Sequence, residues 1–321
     1  MSIESSFDNA SASHDPARHA PSHGISHHRL EAKYTPSLAP DAPLAVFLHG
    51  FDSWSRSWSK LVAEMREQVN CLTLDLPGFG SSPPPHDGDL SLTGHMRAVV
   101  DYLESNGTGP VHLVGCSLGA AIAVRLAAQR PDLVRTLTLI SPVLPEPLPQ
   151  PAALKVSLLA LPGVARLQAR YTARRGMEQE LSALVGMLYG DRSLMTVEEW
   201  EGELAERRRR HELPYVIDVR VGTLRGIIRS YLERGEASLW QQARRVTAPT
   251  LLVYGRRDRF VSYRSAYRAE RAFPDARLLL LPNAGHVSMK EFPKQVAEAF
   301  YGLLAADGTA TGARPTHPAQ P

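Results

Sequence analysis

The stretch VHLVGCSLGA, residues 111–120, decides how this chain is read. A short apolar run ends at Gly115-Cys116-Ser117-Leu118-Gly119, and an alanine-rich amphipathic segment, LGAAIAVRLAAQRP, follows. The pattern changes from strand-like to helical at Ser117. A serine at so sharp a turn has strained backbone angles and crowded neighbours, and glycines two before and two after relieve the crowding. The turn lifts the hydroxyl above the sheet. It also sets backbone N–H groups of the helix N-terminus beside it, where negative charge is favoured. G-x-S-x-G alone is a weak signal, and its bland alternative is a glycine-rich turn that binds nothing. Here the flanking strand and helix supply the context of an exposed nucleophile.

A serine hydroxyl needs a base to become a nucleophile, and the base needs an acid to orient it. Downstream, LLVYGRRDRFVS places Asp258 in a loop just after a predicted strand. LLLLPNAGHVSMKEFP places His286 just after another apolar run and before a final helix. Ser117, Asp258 and His286 are therefore expected on three loops at one sheet edge, the edge where open α/β sheets bind ligands. Taken singly, each has a blander alternative: Asp258 as a surface turn residue and His286 as a cap of the last helix.

Around these residues, short apolar runs alternate with helical patterns. Strands are predicted at 43–50, 70–78, 110–117, 135–142 and 249–255, with HHRLEAKYTP as an additional edge strand. The runs are continuous rather than alternating, as in strands covered on both faces. Helices are predicted near 57–67, 91–105, 118–129, 264–272 and 292–305. The fold class is α/β: a mostly parallel sheet with helices on both faces. After Pro142 the alternation stops. Residues 145–246 read as helices punctuated at Pro162, Gly190 and Pro214, with Val221, Leu224, Ile227, Ile228 and Tyr231 on one helical face. The expected organisation is a core of 25–144 and 247–305, a helical lid at 145–246, and disordered tails at 1–24 and 306–321. The basic run ERRRRHE (206–212) follows a glutamate-rich segment and reads as a solvated helix end that complements the helix dipole. Contact with an anionic substrate is the sharper alternative.

The chain has 321 residues, 43% of them hydrophobic, and a net charge of only +3. That balance argues against a nucleic-acid partner. Cys71 and Cys116 give neither a disulfide framework nor metal-ligand spacing. His14, His19, His23, His27 and His28 lack partner carboxylates or cysteines, so a metal site is not expected there. No secretory signal and no bilayer-spanning apolar run is legible, so the expectation is a cytoplasmic protein without a membrane partner. A small-molecule substrate is expected, no cofactor is implied, and homo-oligomerisation stays open.

With these motifs in place, the chain resembles the α/β-hydrolase fold superfamily, in its serine-nucleophile form with a helical lid. The resemblance rests on FLHGFDSW, DLPGFGSS, GCSLGA, GRRD and NAGHV, spread over residues 43–290. It implies an oxyanion hole made by the backbone N–H groups of Phe51 and of Leu118, the residue after the nucleophile. It also implies a turn-organising Asp75, a structural His49, and Trp54 and Trp58 packed beneath the oxyanion loop. Haloalkane dehalogenases and epoxide hydrolases of this fold carry an aspartate nucleophile, so Ser117 argues against both. The meta-cleavage C–C hydrolases usually carry glycine-proline-glycine after the HG, which HGFDSWSRSW lacks. Perhydrolases share the Ser-Asp-His set. The implied activity is cleavage, through an acyl-enzyme, of a small to medium, largely apolar ester, thioester or lactone. C–C hydrolysis, a lyase or cyclase using the same site, and a ligand-binding protein with an idle triad are the alternatives.

Overall fold

The computed structural model describes residues 29–308. The histidines at 14–28 and most of the two tails lie outside them. Seven strands form one sheet: β1 (Ala32–Thr35), β2 (Leu44–Leu48), β3 (Asn70–Leu74), β4 (Val111–Cys116), β5 (Val134–Ile140), β6 (Thr250–Gly255) and β7 (Ala276–Leu281). Their spatial order is β1-β3-β2-β4-β5-β6-β7. β1 pairs antiparallel with β3, and every other neighbouring pair is parallel. The β7 strand is the apolar run that precedes His286.

The continuous apolar strands follow from burial on both faces. Successive side chains point to opposite sides of a strand. Val46 and Leu48 of β2 enter one core layer, with Leu113, Leu139 and Leu252. Ala45 and Phe47 enter the other, with Val114, Ile140 and Val253. Helices α2 (Leu92–Ser105) and α3 (Leu118–Gln129) cover the first layer, while α1 (Ser59–Met65) and α12 (Pro293–Ala306) cover the second. Each fully buried Leu or Phe contributes about 1.5–3 kcal/mol. The five strands predicted with bounds are each shorter by one to four residues in total, and β1 takes only four residues of HHRLEAKYTP. Residues 75–78, read as the end of a strand, lead into a turn in which Phe79 N–H donates to the Leu76 carbonyl at 2.9 Å and Ser81 N–H donates back to the Asp75 carboxylate at 2.9 Å.

Between β5 and β6 the chain forms α4 (Pro151–Ser157), α5 (Val164–Arg175), α6 (Met177–Leu188), α7 (Val197–His211), α8 (Val216–Leu232) and α9 (Leu239–Ala243). A 3-10 turn, Leu158–Ala160, extends α4. The helix breaks fall beside Pro162, Gly190 and Pro214. Helix α7 starts with a reciprocal cap: Glu199 N–H donates to Thr196 Oγ1 at 3.2 Å, and Thr196 N–H donates to Glu199 Oε2 at 2.9 Å. After β6 come α10 (Arg264–Ala272) and the short α11 (Ser288–Glu291).

Candidate active site

Ser117 joins β4 to α3 with φ 54° and ψ −112°, left-handed angles that a non-glycine residue rarely adopts. Its N–H donates to the Ile140 carbonyl at 2.9 Å, and its carbonyl accepts from Ala121 N–H at 3.1 Å. The strained turn is thus tied to both β5 and α3. The flanking glycines are steric necessities: a Cβ on Gly115 would lie 2.6 Å from the Gly119 carbonyl oxygen, and one on Gly119 would overlap the carbonyl oxygens of Leu48 and His49.

The loop after β2 closes on this turn. A Cβ on Gly50 would stand 3.3 Å from Ser117 Cβ, a tight contact, so the chain passes close beside the serine there. Phe51 follows, its ring edge-on to Phe79. Among the described residues, neither the Phe51 nor the Leu118 N–H donates to a protein acceptor. Two backbone donors therefore stand unpaired beside Ser117. His49 shapes this loop: its ring bonds the Gly50 carbonyl at 2.8 Å through Nδ1 and accepts Leu76 N–H at 3.0 Å through Nε2. Full burial pushes its pKa down, which matches a neutral ring protonated at Nδ1. Asp75 accepts from Ser55 N–H at 2.6 Å and from Ser81 N–H at 2.9 Å, linking the two loops. Trp58 is fully buried against Phe47.

Asp258 and His286 meet. His286 Nδ1 and Asp258 Oδ2 are 2.9 Å apart, with 7% and 1% of their side chains exposed. Asp258 Oδ1 accepts from the N–H groups of Phe260 and Val261, at 2.7 and 3.0 Å, so its carboxylate is fully committed. Its loop is anchored by Glu146, which accepts from Ser262 N–H and Ser265 Oγ. Glu146 lies at the same sheet edge, but it is engaged with serines and not with His286. Among the described residues, His286 Nε2 makes no hydrogen bond with Ser117 Oγ. Cys116, next to the serine, is buried, and burial pushes its thiol up to about 12, so it stays protonated and inert.

Further groups in this region were not found from sequence. Glu291 accepts from Gly190 N–H at 2.8 Å and Gly285 N–H at 2.7 Å, and His286 N–H donates to the Leu188 carbonyl at 2.7 Å. The histidine loop is thereby stitched to the end of α6. Asp52, the residue after Phe51, has φ 56° and pairs with Arg210 at 2.7 Å and Arg220 at 3.3 Å. Burial alone would raise this carboxyl, but Arg220, Arg210 and Arg207 outweigh it and hold it well below the usual range. The solvated helix end predicted at 206–212 is corrected in part: Arg210 turns inward to Asp52 and Arg209 donates to the Gly80 carbonyl, while Arg208, His211 and Glu212 are exposed. A recess opens beside Phe51, bordered by Leu159, Ala165, Ile217, Arg220 and Val221.

A family model of the alpha/beta hydrolase fold matches residues 43–293, most of the chain. The chain belongs to the α/β hydrolase fold family. Within that family it is 28% identical over 267 residues to a pimeloyl-[acyl-carrier protein] methyl ester esterase of Nitrosomonas europaea, covering 82% of this chain and 96% of that one. It is 35% identical to a haloalkane dehalogenase of Bradyrhizobium diazoefficiens, but over 114 residues only, 36% of each chain. Among solved structures, a bacterial membrane phospholipase A superposes with a TM-score of 0.71 at 22% identity, over 88% of this α/β hydrolase-fold chain and 84% of that one. That superposition speaks to fold alone.

Proposed function

We propose that this chain is a serine hydrolase that cleaves largely apolar carboxylic esters, thioesters or lactones through an acyl-enzyme. The observation that carries the proposal is the juxtaposition of a serine at positive φ with two unpaired backbone N–H groups, at the sheet edge where a histidine is held by a buried aspartate. Ser117 Oγ attacks the carbonyl carbon and passes its proton to His286 Nε2, which closes on the hydroxyl as substrate binds. Asp258 keeps the Nδ1 proton in place and stabilises the imidazolium. The Phe51 and Leu118 N–H groups receive the oxyanion, each such donor contributing about 3–4 kcal/mol to the barrier reduction. The leaving alcohol or thiol takes the proton from His286. Water, deprotonated by the same ring, then releases the acid and returns the proton to Ser117.

Phe51, Leu159, Ala165, Ile217 and Val221 on the recess favour an apolar acyl or alcohol group, with Gln168 and Arg220 as its polar border. Helices α4–α8 act as a lid above it. A serine at the nucleophile position speaks against the dehalogenase chemistry named for the partial match. The test is a panel of p-nitrophenyl esters and lactones of increasing acyl length. The wild type hydrolyses members of the panel, and Ser117→Ala loses at least about a thousandfold in kcat/KM. A folded wild type inert toward the whole panel, or equal rates for the two proteins, would overturn the proposal.

A further inference from the structure

The α4–α5 pair exposes several large apolar side chains along one short segment. Leu158, Leu161, Leu167 and Tyr171 are 54%, 52%, 67% and 47% exposed, and Leu154 stands half exposed beside them. A cluster of large apolar side chains in water marks a contact surface rather than a scatter of single exposures. The same segment is basic. From Pro147 to Met177 the sequence holds Lys155, Arg166, Arg170, Arg174 and Arg175, and no aspartate or glutamate. All five cations are exposed. The acids that bracket the segment are engaged elsewhere: Glu146 with Ser262 and Ser265, Glu178 with Arg208. On α5, Leu167 and Tyr171 lie one turn apart, with Arg166, Arg170 and Arg174 running alongside.

We propose that the α4–α5 pair docks the protein on the surface of an anionic lipid bilayer. Leucines and a tyrosine that enter the acyl boundary, rimmed by arginines that meet phosphate headgroups, are the composition of an interfacial helix. Charge selects this occupant. A second copy of the chain would set two like-charged faces against each other, whereas an anionic leaflet complements the face. The segment lies on the membrane rather than through it. Among the described residues no single helix is long and apolar enough to cross; α4 with its 3-10 extension and α5 have the length and composition together, but the 106° bend between them turns the pair away from a straight span. Surface docking revises the expectation of no membrane partner, which rested on the lack of a spanning run. The inner side of the same pair contributes Leu159 and Ala165 to the recess at Phe51, so the docked face lies next to the site.

Sedimentation of the full chain with phosphatidylcholine vesicles, and with vesicles that also contain phosphatidylglycerol, tests the proposal. The protein sediments with the anionic vesicles, and salt weakens the binding. Replacing Arg166, Arg170 and Arg174 together by glutamine lowers the partition coefficient about a hundredfold, at about fivefold per arginine. Replacing Leu158, Leu161 and Leu167 together by serine lowers it at unchanged charge. Ser117→Ala binds as the wild type does, so docking is judged apart from the acyl-transfer proposal. Both surface triples keep the melting temperature of the wild type, which reports that they fold. No sedimentation with anionic vesicles, or equal sedimentation of both triples and the wild type, would overturn the proposal. So would a wild-type dimer that the leucine triple dissolves, because the face would then belong to a second copy.

Discussion

Asp52 keeps its charge in a buried place only because arginines from α7 and α8 surround it. Removing Arg210 leaves this desolvated charge with Arg220 at 3.3 Å and only partly compensated. Arg210→Met should therefore lower stability by about 3 kcal/mol at neutral pH, as read from urea melts. The folded carboxyl titrates below an unfolded aspartate, whose value is about 3.9. The pair's stabilisation is thus complete above that value and is lost as pH falls through it toward the folded one. The deficit of Arg210→Met should shrink between neutral pH and about pH 3. An equal deficit at both would mean that the arginine acts through packing alone. This contact was illegible in the sequence. Its partners are 158 residues apart, and a run of four arginines at the end of a helix reads as solvated. Ser117, Asp258 and His286 were legible because each follows an apolar run at a position where a strand gives way to a loop.

At the scale of elements, the turn between β4 and α3 depends on how closely the backbone of β2 approaches it. A methyl group at Gly119 would press on the carbonyl oxygens of Leu48 and His49, which are backbone atoms of a buried strand and its loop. Overpacking against such atoms costs about 1–3 kcal/mol or more, since no rotamer change relieves it. Gly119→Ala should lower the melting temperature and the rate together, because the same displacement moves the Phe51 loop. A variant with full wild-type stability would show that β2 yields where it seats the loop. The periodicity of the sequence located β1–β6 and the helices α1–α3, α10 and α12, read the helices between β5 and β6 only as one helical stretch, and overran most strand ends. Strand ends are set by side-chain acceptors such as Asp75, which capture backbone N–H groups in a turn that hydropathy does not mark.

Across the whole molecule, the parallel sheet brings residues 50, 117, 258 and 286 to one edge, while the helices between β5 and β6 supply contacts that reach back to that edge. Arg210 holds the loop that carries Phe51, Glu291 ties the histidine loop to α6, and the recess at Phe51 is walled by residues from α5 and α8. The α/β class and the edge were readable from alternating apolar runs. The reach of the helices was not, because pairing across more than 100 residues leaves no periodic trace. The central claim is that Ser117 is an activated nucleophile, and intact-protein mass spectrometry after exposure to a fluorophosphonate tests it most directly. A single adduct on the wild type and none on Ser117→Ala is the result expected. An unmodified wild type, or an adduct that persists in Ser117→Ala, would contradict it.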